Sequence, residues 1–209
     1  MIFKDRQDAG QRLALLLEKQ KTTGQRQKAV VLSLLKGGAI IGKIVAETLK
    51  AKHTPLPVAK IRSPYNDEFA IGALCFDEVL LDQKIVSYID IHKNAVQAQI
   101  SDAKSRFLQS IKSLDVSIKA YRPINNKKTI VVDDGVATGV SARAATMFLR
   151  RFLPQTIVFA APVGPAGTSI PGADKTLVLH APTNFNSVSS FYKTFPHVTD
   201  QEVWDIFNQ

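Results

Sequence analysis

The run Ala29-Val-Val-Leu-Ser-Leu-Leu35 constrains this chain more than any other stretch. It is too short for a helix and rich in branched residues, so it predicts a buried strand. It ends at Lys36-Gly37-Gly38, and Ala39 to Lys50 then reads as a helix. A buried strand, a glycine turn and a helix are the opening of an α/β sheet.

The same order returns downstream. The polar turn Asn125-Asn126-Lys127-Lys128 leads into Thr129-Ile-Val-Val132, then Asp133-Asp134-Gly135, then a helix from about Ser141 to Phe152. Further strands are expected over Leu56–Ile61, Ala70–Phe76, Thr156–Pro162 and Thr176–His180, with a loop over Arg62–Glu68. Ala9, Leu13, Leu16 and Leu17 recur at helical spacing, which predicts an amphipathic helix from Asp5 to about Lys19 and a polar turn over Thr22–Gln27. From Val96 through Ile100, Ala103, Phe107 and Ile111 to Leu114 the apolar steps are three and four, predicting a long helix between His92 and Leu114, either a lid or plain scaffold. Strands alternating with helices predict an α/β fold: a doubly wound, mostly parallel sheet flanked by helices, with ligands at the carboxyl ends of the strands.

A chain of 209 residues with 45% hydrophobic content can bury one good core, so 1–209 is expected to be a single domain. The lone Cys75 excludes an internal disulfide and a Cys-based zinc site, and reads as a small buried hydrophobe. Lys4, Asp5, Arg6 and Asp8 charge the segment where a signal peptide needs an apolar core, and no apolar run reaches membrane-spanning length. A cytoplasmic protein without a membrane partner is the expectation. The formal charge of +9 points to anionic partners. Its basic residues fall in scattered pairs, Arg26 with Lys28 and Lys127 with Lys128 among them, and form no tract. His53, His92, His180 and His197 show no metal-ligand spacing.

The segment Val131-Val132-Asp133-Asp134-Gly135-Val136-Ala137-Thr138-Gly139-Val140-Ser141 carries the chemistry, at the passage from strand to helix. Two adjacent carboxylates at a strand end can accept hydrogen bonds from vicinal ribose hydroxyls or hold a metal directly or through water. Gly135 and Gly139 let the backbone turn tightly, and the Thr138 and Ser141 hydroxyls with the first N–H groups of the helix can surround a phosphate. An acidic helix cap followed by a tight turn would explain Asp134 and Gly135 but not the whole string.

With its apolar run, two acids, short variable stretch, Thr-Gly and hydroxyl residue, this segment resembles the phosphoribosyl-diphosphate motif of the type I phosphoribosyltransferases. Asp133, Asp134, Thr138, Gly139 and Ser141 fall on that pattern one by one. Leu35-Lys36-Gly37-Gly38 resembles the family's second element, the loop that holds the diphosphate, often through a cis peptide. Gly37-x4-Gly42-Lys43 is nearly a nucleoside-triphosphatase phosphate loop, but Ile44 stands where a Ser or Thr should hold magnesium. The resemblance covers nearly the whole chain. It is nearest the uncharacterised members, which share features such as Phe3-Lys-Asp-Arg6 with Ala9-Gly10, Ala70-Ile71-Gly72-Ala73 and the segment from Phe185 to Val203.

The resemblance implies the type I fold with a small hood, built from segments 54–120 and 181–209. It also implies transfer of a 5-phosphoribosyl group from 5-phosphoribosyl-1-diphosphate (PRPP) to a nitrogenous acceptor, with magnesium and release of diphosphate. Lys36, Asp133 and Asp134 would be the catalytic groups. Leu35 to Gly38 would hold the diphosphate, Thr138, Gly139 and Ser141 would take the 5-phosphate, and Gly135, Val136, Ala137 and Val140 complete the substrate-binding stretch. Lys60 and Arg62 would cover the diphosphate from the hood; Phe185, Phe191 and Tyr192 would line an acceptor pocket, and a homodimer would form. Two positions depart from relatives: Lys36 stands where the uncharacterised group has Arg, and Ala137 where purine-salvage enzymes place an Asp that exchanges a proton with the base. Two alternatives stay open: a PRPP-sensing regulator that binds nucleic acid, and hydrolysis with water as acceptor.

Overall fold

The computed structural model describes residues 2–20, 29–89 and 91–208. The turn expected over Thr22–Gln27 and the Arg26/Lys28 pair lie outside the described residues.

Strands β1 (Val30–Leu34), β2 (Lys52–Leu56), β6 (Lys128–Val132), β7 (Thr156–Val163) and β8 (Lys175–His180) form a five-stranded sheet in the order β2-β1-β6-β7-β8. All its pairings are parallel. Successive side chains of a strand point to opposite faces, and both faces are covered, which is why β1 and β6 read as unbroken apolar runs. Val31, Ile130, Val132 and Ala160 pack beneath α1 (Arg6–Lys19) and α2 (Gly38–Leu49). Leu32, Leu34, Val131 and Phe159 pack on the other face against α5 (Val140–Arg150).

A second sheet, three-stranded and antiparallel, is inserted between β2 and β6. Its strands are β3 (Ala59–Ser63), β4 (Asn66–Cys75) and β5 (Glu78–Leu81), followed by α3 (Gln83–Tyr88) and α4 (Lys93–Ser113). The apolar stripe of α4, Val96, Ile100, Ala103 and Phe107, packs on Ile61 and Ile71 of this sheet. A final helix, α6 (Asp200–Phe207), starts in a Thr199/Glu202 capping box and packs Val203 against Ala39 of α2.

The single strand expected over Leu56–Ile61 is two strands in different sheets. Pro57, between them, has no N–H for a ladder, so the chain leaves one sheet there and enters the other. The loop expected over Arg62–Glu68 shrinks to a hairpin turn, because pairing with β3 draws β4 back to Asn66. Since β2 belongs to the central sheet, the inserted unit begins at Ala59.

Candidate active site

The central neighbours β1 and β6 send their following helices to opposite faces, α2 to one and α5 to the other. Their carboxyl ends therefore part and open a crevice at this switch point, which is where open α/β sheets bind ligands. Lys36-Gly37 leaves one strand and Asp133-Asp134-Gly135 the other, so segments about a hundred residues apart in sequence share one cleft of about 510 Å³. Val58 from the connection into the inserted sheet, Lys60 and Arg62 from that sheet, Arg106, Phe107 and Ser110 from α4, and Val188 with Phe195 near the C-terminus complete its walls. A smaller recess of about 150 Å³ adjoins the same acid, lined by Asp133, Lys60 and the loop from Gly135 to Ala142.

Both helices that start at this cleft are capped by glycine. Gly37 precedes α2 and Gly139 precedes α5, and neither has a side chain to cap with, as His92 also makes no cap at α4; Asp5, Asp82 and Thr199 cap α1, α3 and α6 with side-chain oxygens, and at α5 the Val140 N–H donates to Thr138 Oγ1 at 3.5 Å. Uncapped first-turn N–H groups with the positive end of the helix dipole favour an anion. A Cβ at Gly37 would overlap the Asp134 carboxylate, and Gly139 has φ 74°, so both positions exclude larger residues. The Leu35–Lys36 peptide bond is cis.

The two acids stand in different environments. Asp133 keeps some surface open to the cleft, yet the protein packed around its carboxyl removes water, and this pushes its pKa well above the carboxylate range. The adjacent Asp134 charge raises it further; the Asp134 N–H, donating at 2.8 Å, and the Lys60 charge act against this. Asp134 instead has a cationic partner: Arg6 donates from Nε to its carboxylate at 2.8 Å. Arg6 lies 3.7 Å over the Phe195 ring and donates to the Pro196 carbonyl at 2.6 Å. Tyr192 donates its hydroxyl to the Asp134 carbonyl at 2.5 Å.

The sequence motifs therefore meet in space. Leu35, Lys36, Gly37, Asp133, Asp134, Gly135, Ala137 and Ser141 line the main cleft, as do Lys60 and Arg62; Val136, Thr138, Gly139 and Val140 line the recess. Gly38 sits against Asp133. Lys36 extends away to pair with Asp200 at 3.0 Å. Phe185 and Phe191 stack on each other, with ring centroids 5.6 Å apart, and Tyr192 packs between Phe3 and Phe195. These rings join the α1 side of the core, and from their segment it is Val188 and Phe195 that reach the cleft wall.

Sequence reasoning assigned no role to Arg6, Arg106 or Phe195. Arg6 had a legible signal: it shares a helical face with Ala9, Gly10, Leu13 and Leu17, all buried, and a charge in an apolar register needs a partner. Phe195 lay in the family-like segment from Phe185 to Val203 but with no role attached, and Arg106 had no signal, because only the docking of α4 and the C-terminal segment onto the cleft defines what they face.

Comparison with known proteins bears on the family and the fold. The family model of the phosphoribosyl transferase domain matches residues 3–186. Two Mycobacterium tuberculosis proteins, "Putative phosphoribosyl transferase MT0597" of strain CDC 1551 / Oshkosh and "Putative phosphoribosyl transferase Rv0571c" of strain ATCC 25618 / H37Rv, are each 31% identical over 97% of this chain. The chain spans 45% of the length of each. The crystal structure of TT1426 from Thermus thermophilus superposes with a TM-score of 0.70 at 28% identity, covering 99% of this chain and 98% of that one. A hypoxanthine-guanine phosphoribosyltransferase from Bacillus anthracis has a TM-score of 0.45 at 13% identity, over 83% of this chain and 79% of its own. The fold is the α/β type I phosphoribosyltransferase fold, and the chain belongs to the phosphoribosyl transferase domain family.

Proposed function

We propose that this protein transfers the 5-phosphoribosyl group of PRPP to a nitrogenous acceptor and releases diphosphate. The observation that carries the reading is the convergence of two glycine-capped helix starts on one acid pair. That arrangement suits a sugar with hydroxyls at its centre and a phosphate at each end. The recess from Gly135 to Ser141 would take the 5-phosphate on the backbone of Thr138, Gly139 and Val140. The loop Leu35 to Gly38 would take the diphosphate, Lys36 exchanging its exposed contact with Asp200 for the ligand; such surface pairs contribute only about 0–1 kcal/mol and are readily given up. Asp133 and Asp134 would accept the ribose hydroxyls, and their charge favours the cationic sugar ring that develops as diphosphate departs. The hood, comprising the inserted sheet with α4 and the C-terminal segment 181–209, would shut water out of this step.

Magnesium belongs to this proposal as a partner of PRPP. Among the described residues no group of three or more His, Cys, Asp and Glu could hold a metal. The fit is therefore partial: Asp133 and Asp134, whose mutual repulsion a cation relieves, would share the ion with substrate oxygens and water. Bound there, it would offset the negative charge of the leaving diphosphate. Cytoplasmic residence and a homodimer also remain part of the proposal; among the described residues no helix is long and apolar enough to cross a membrane.

Calorimetric titration of PRPP with and without magnesium tests the reading, with Asp134→Asn as the control variant. Magnesium-dependent binding that weakens at least about tenfold in D134N is expected, the worth of one hydrogen bond to a charged group. Binding that D134N leaves untouched would sink the site assignment.

A further inference from the structure

The hood wall of the cleft is lined by more cationic than anionic side chains. The only acids lining the cleft among the described residues are Asp133 and Asp134, and both stand at the floor, the second already paired with Arg6. On the hood wall are Lys60, Arg62 and Arg106. Lys60 lines the recess together with Asp133. Arg62 is exposed and makes none of the salt bridges seen among the described residues.

Arg106 is held in a particular way. Its Nη2 donates to the Lys60 carbonyl at 3.0 Å and meets Asp102, one turn earlier on α4, at 2.9 Å. Its Nε–H is buried with no hydrogen-bond partner. A buried, unpaired donor is unfavourable until an acceptor atom reaches it, so Arg106 would gain by turning its Nε–H toward a ligand group or water. Around it the cleft is apolar: Phe107 and Val58 on the hood side, Val188 and Phe195 opposite. Ala137, also in the lining, supplies no carboxylate to accept a ring N–H or exchange a proton.

Resting on the transferase reading above, we propose that the acceptor is a planar nitrogenous acid, its ring held between the apolar walls and its carboxylate, or equivalent acidic group, held by Arg106 and Arg62. The phosphates of PRPP have the two helix starts and Lys36 as partners, so Arg62, assigned above to the diphosphate, would serve the acceptor instead, together with Arg106 on exchanging its contact with Asp102. Arginine suits a planar carboxylate because its N–H groups can donate two parallel bonds. In the reaction, the acceptor nitrogen lone pair forms the new bond to the anomeric carbon. The bond from that carbon to the diphosphate oxygen breaks, its electron pair leaving with diphosphate, and a proton on the attacking nitrogen, where there is one, passes to water.

The test uses the full chain with PRPP and magnesium, following diphosphate release with two sets of acceptors. The acids are pyridine-3-carboxylate, pyridine-2,3-dicarboxylate, 2-aminobenzoate and a dioxopyrimidine carboxylate; the uncharged bases are adenine, guanine, hypoxanthine and uracil. Release with an acid and at least tenfold less with the uncharged bases is expected. Arg106→Gln should raise KM for that acid about tenfold or more while KM for PRPP stays within about twofold, the loss expected for one charge-assisted bond, and Arg106→Lys should recover part of it. Release with an uncharged base, release with none of the eight despite PRPP binding, or an R106Q effect on KM for PRPP would each overturn the proposal. A protein that fails to bind PRPP in calorimetry would overturn the transferase reading itself, which separates the two failures.

Discussion

Asp133 and Arg6 show how single residues divide the work of the site. Arg6 begins a helix whose inner face is otherwise Ala, Gly and Leu, and it is tolerated there because it meets Asp134, Phe195 and the Pro196 carbonyl at once. Asp133 has no such cationic contact, and burial raises its pKa from the ordinary 3.8. The folded protein then holds the Asp133 proton to a higher pH than the unfolded chain does. Ionisation on raising the pH above 3.8 consequently costs the folded state stability that it has in acid. Asp133→Asn removes that cost. The variant should unfold at higher urea than the parent at pH 7, and the difference should close as the pH falls below 3.8. An unchanged midpoint at pH 7 would mean that the Asp133 carboxyl is freely solvated.

Among the elements, the hood is held to the core by a ring cluster. Phe76, just after β4, stacks on Phe148 of α5 with centroids 4.7 Å apart, and Tyr121 meets Phe148 edge-on at 5.5 Å. Tyr121 is itself tied by its hydroxyl to the Pro55 carbonyl at 2.8 Å. Phe107 of α4 closes the group against Phe76 at 5.1 Å. Such edge-to-face and stacked contacts add to the area they bury. Phe148 is fully buried at the centre. Phe148→Ala should destabilise the protein by about 3–5 kcal/mol, read as a lowered midpoint in urea unfolding. A loss under about 1 kcal/mol would show that hood and core are joined elsewhere, since exposed sites cost that little. None of this cluster was legible as such, because Phe76, Phe107, Tyr121 and Phe148 belong to four separate segments.

For the whole molecule, the sheet gives the two ends different roles. The cleft lies at the carboxyl ends of β1 and β6, whereas Lys127 and Lys128 sit where β6 begins, at the opposite end. Reversing both charges should therefore leave PRPP affinity within about twofold, since the pair lies a strand's length from the site and is screened by salt. If the protein is instead a regulator using this pair, the same variant should lose affinity for RNA or DNA and show a shallower salt dependence. The strand, glycine turn and helix at Ala29 to Lys50, and again at Thr129 to Phe152, were readable because local periodicity and backbone chemistry alone specify them. The acid motif was readable for the same reason: its residues are contiguous, so their proximity needs no fold. What only the tertiary structure decided is what faces them. Arg6 against Asp134, Arg106 and Phe195 on the cleft wall, and Phe185, Phe191 and Tyr192 turned into the core follow from packing between distant elements, and no local pattern encodes which apolar or charged face will meet which.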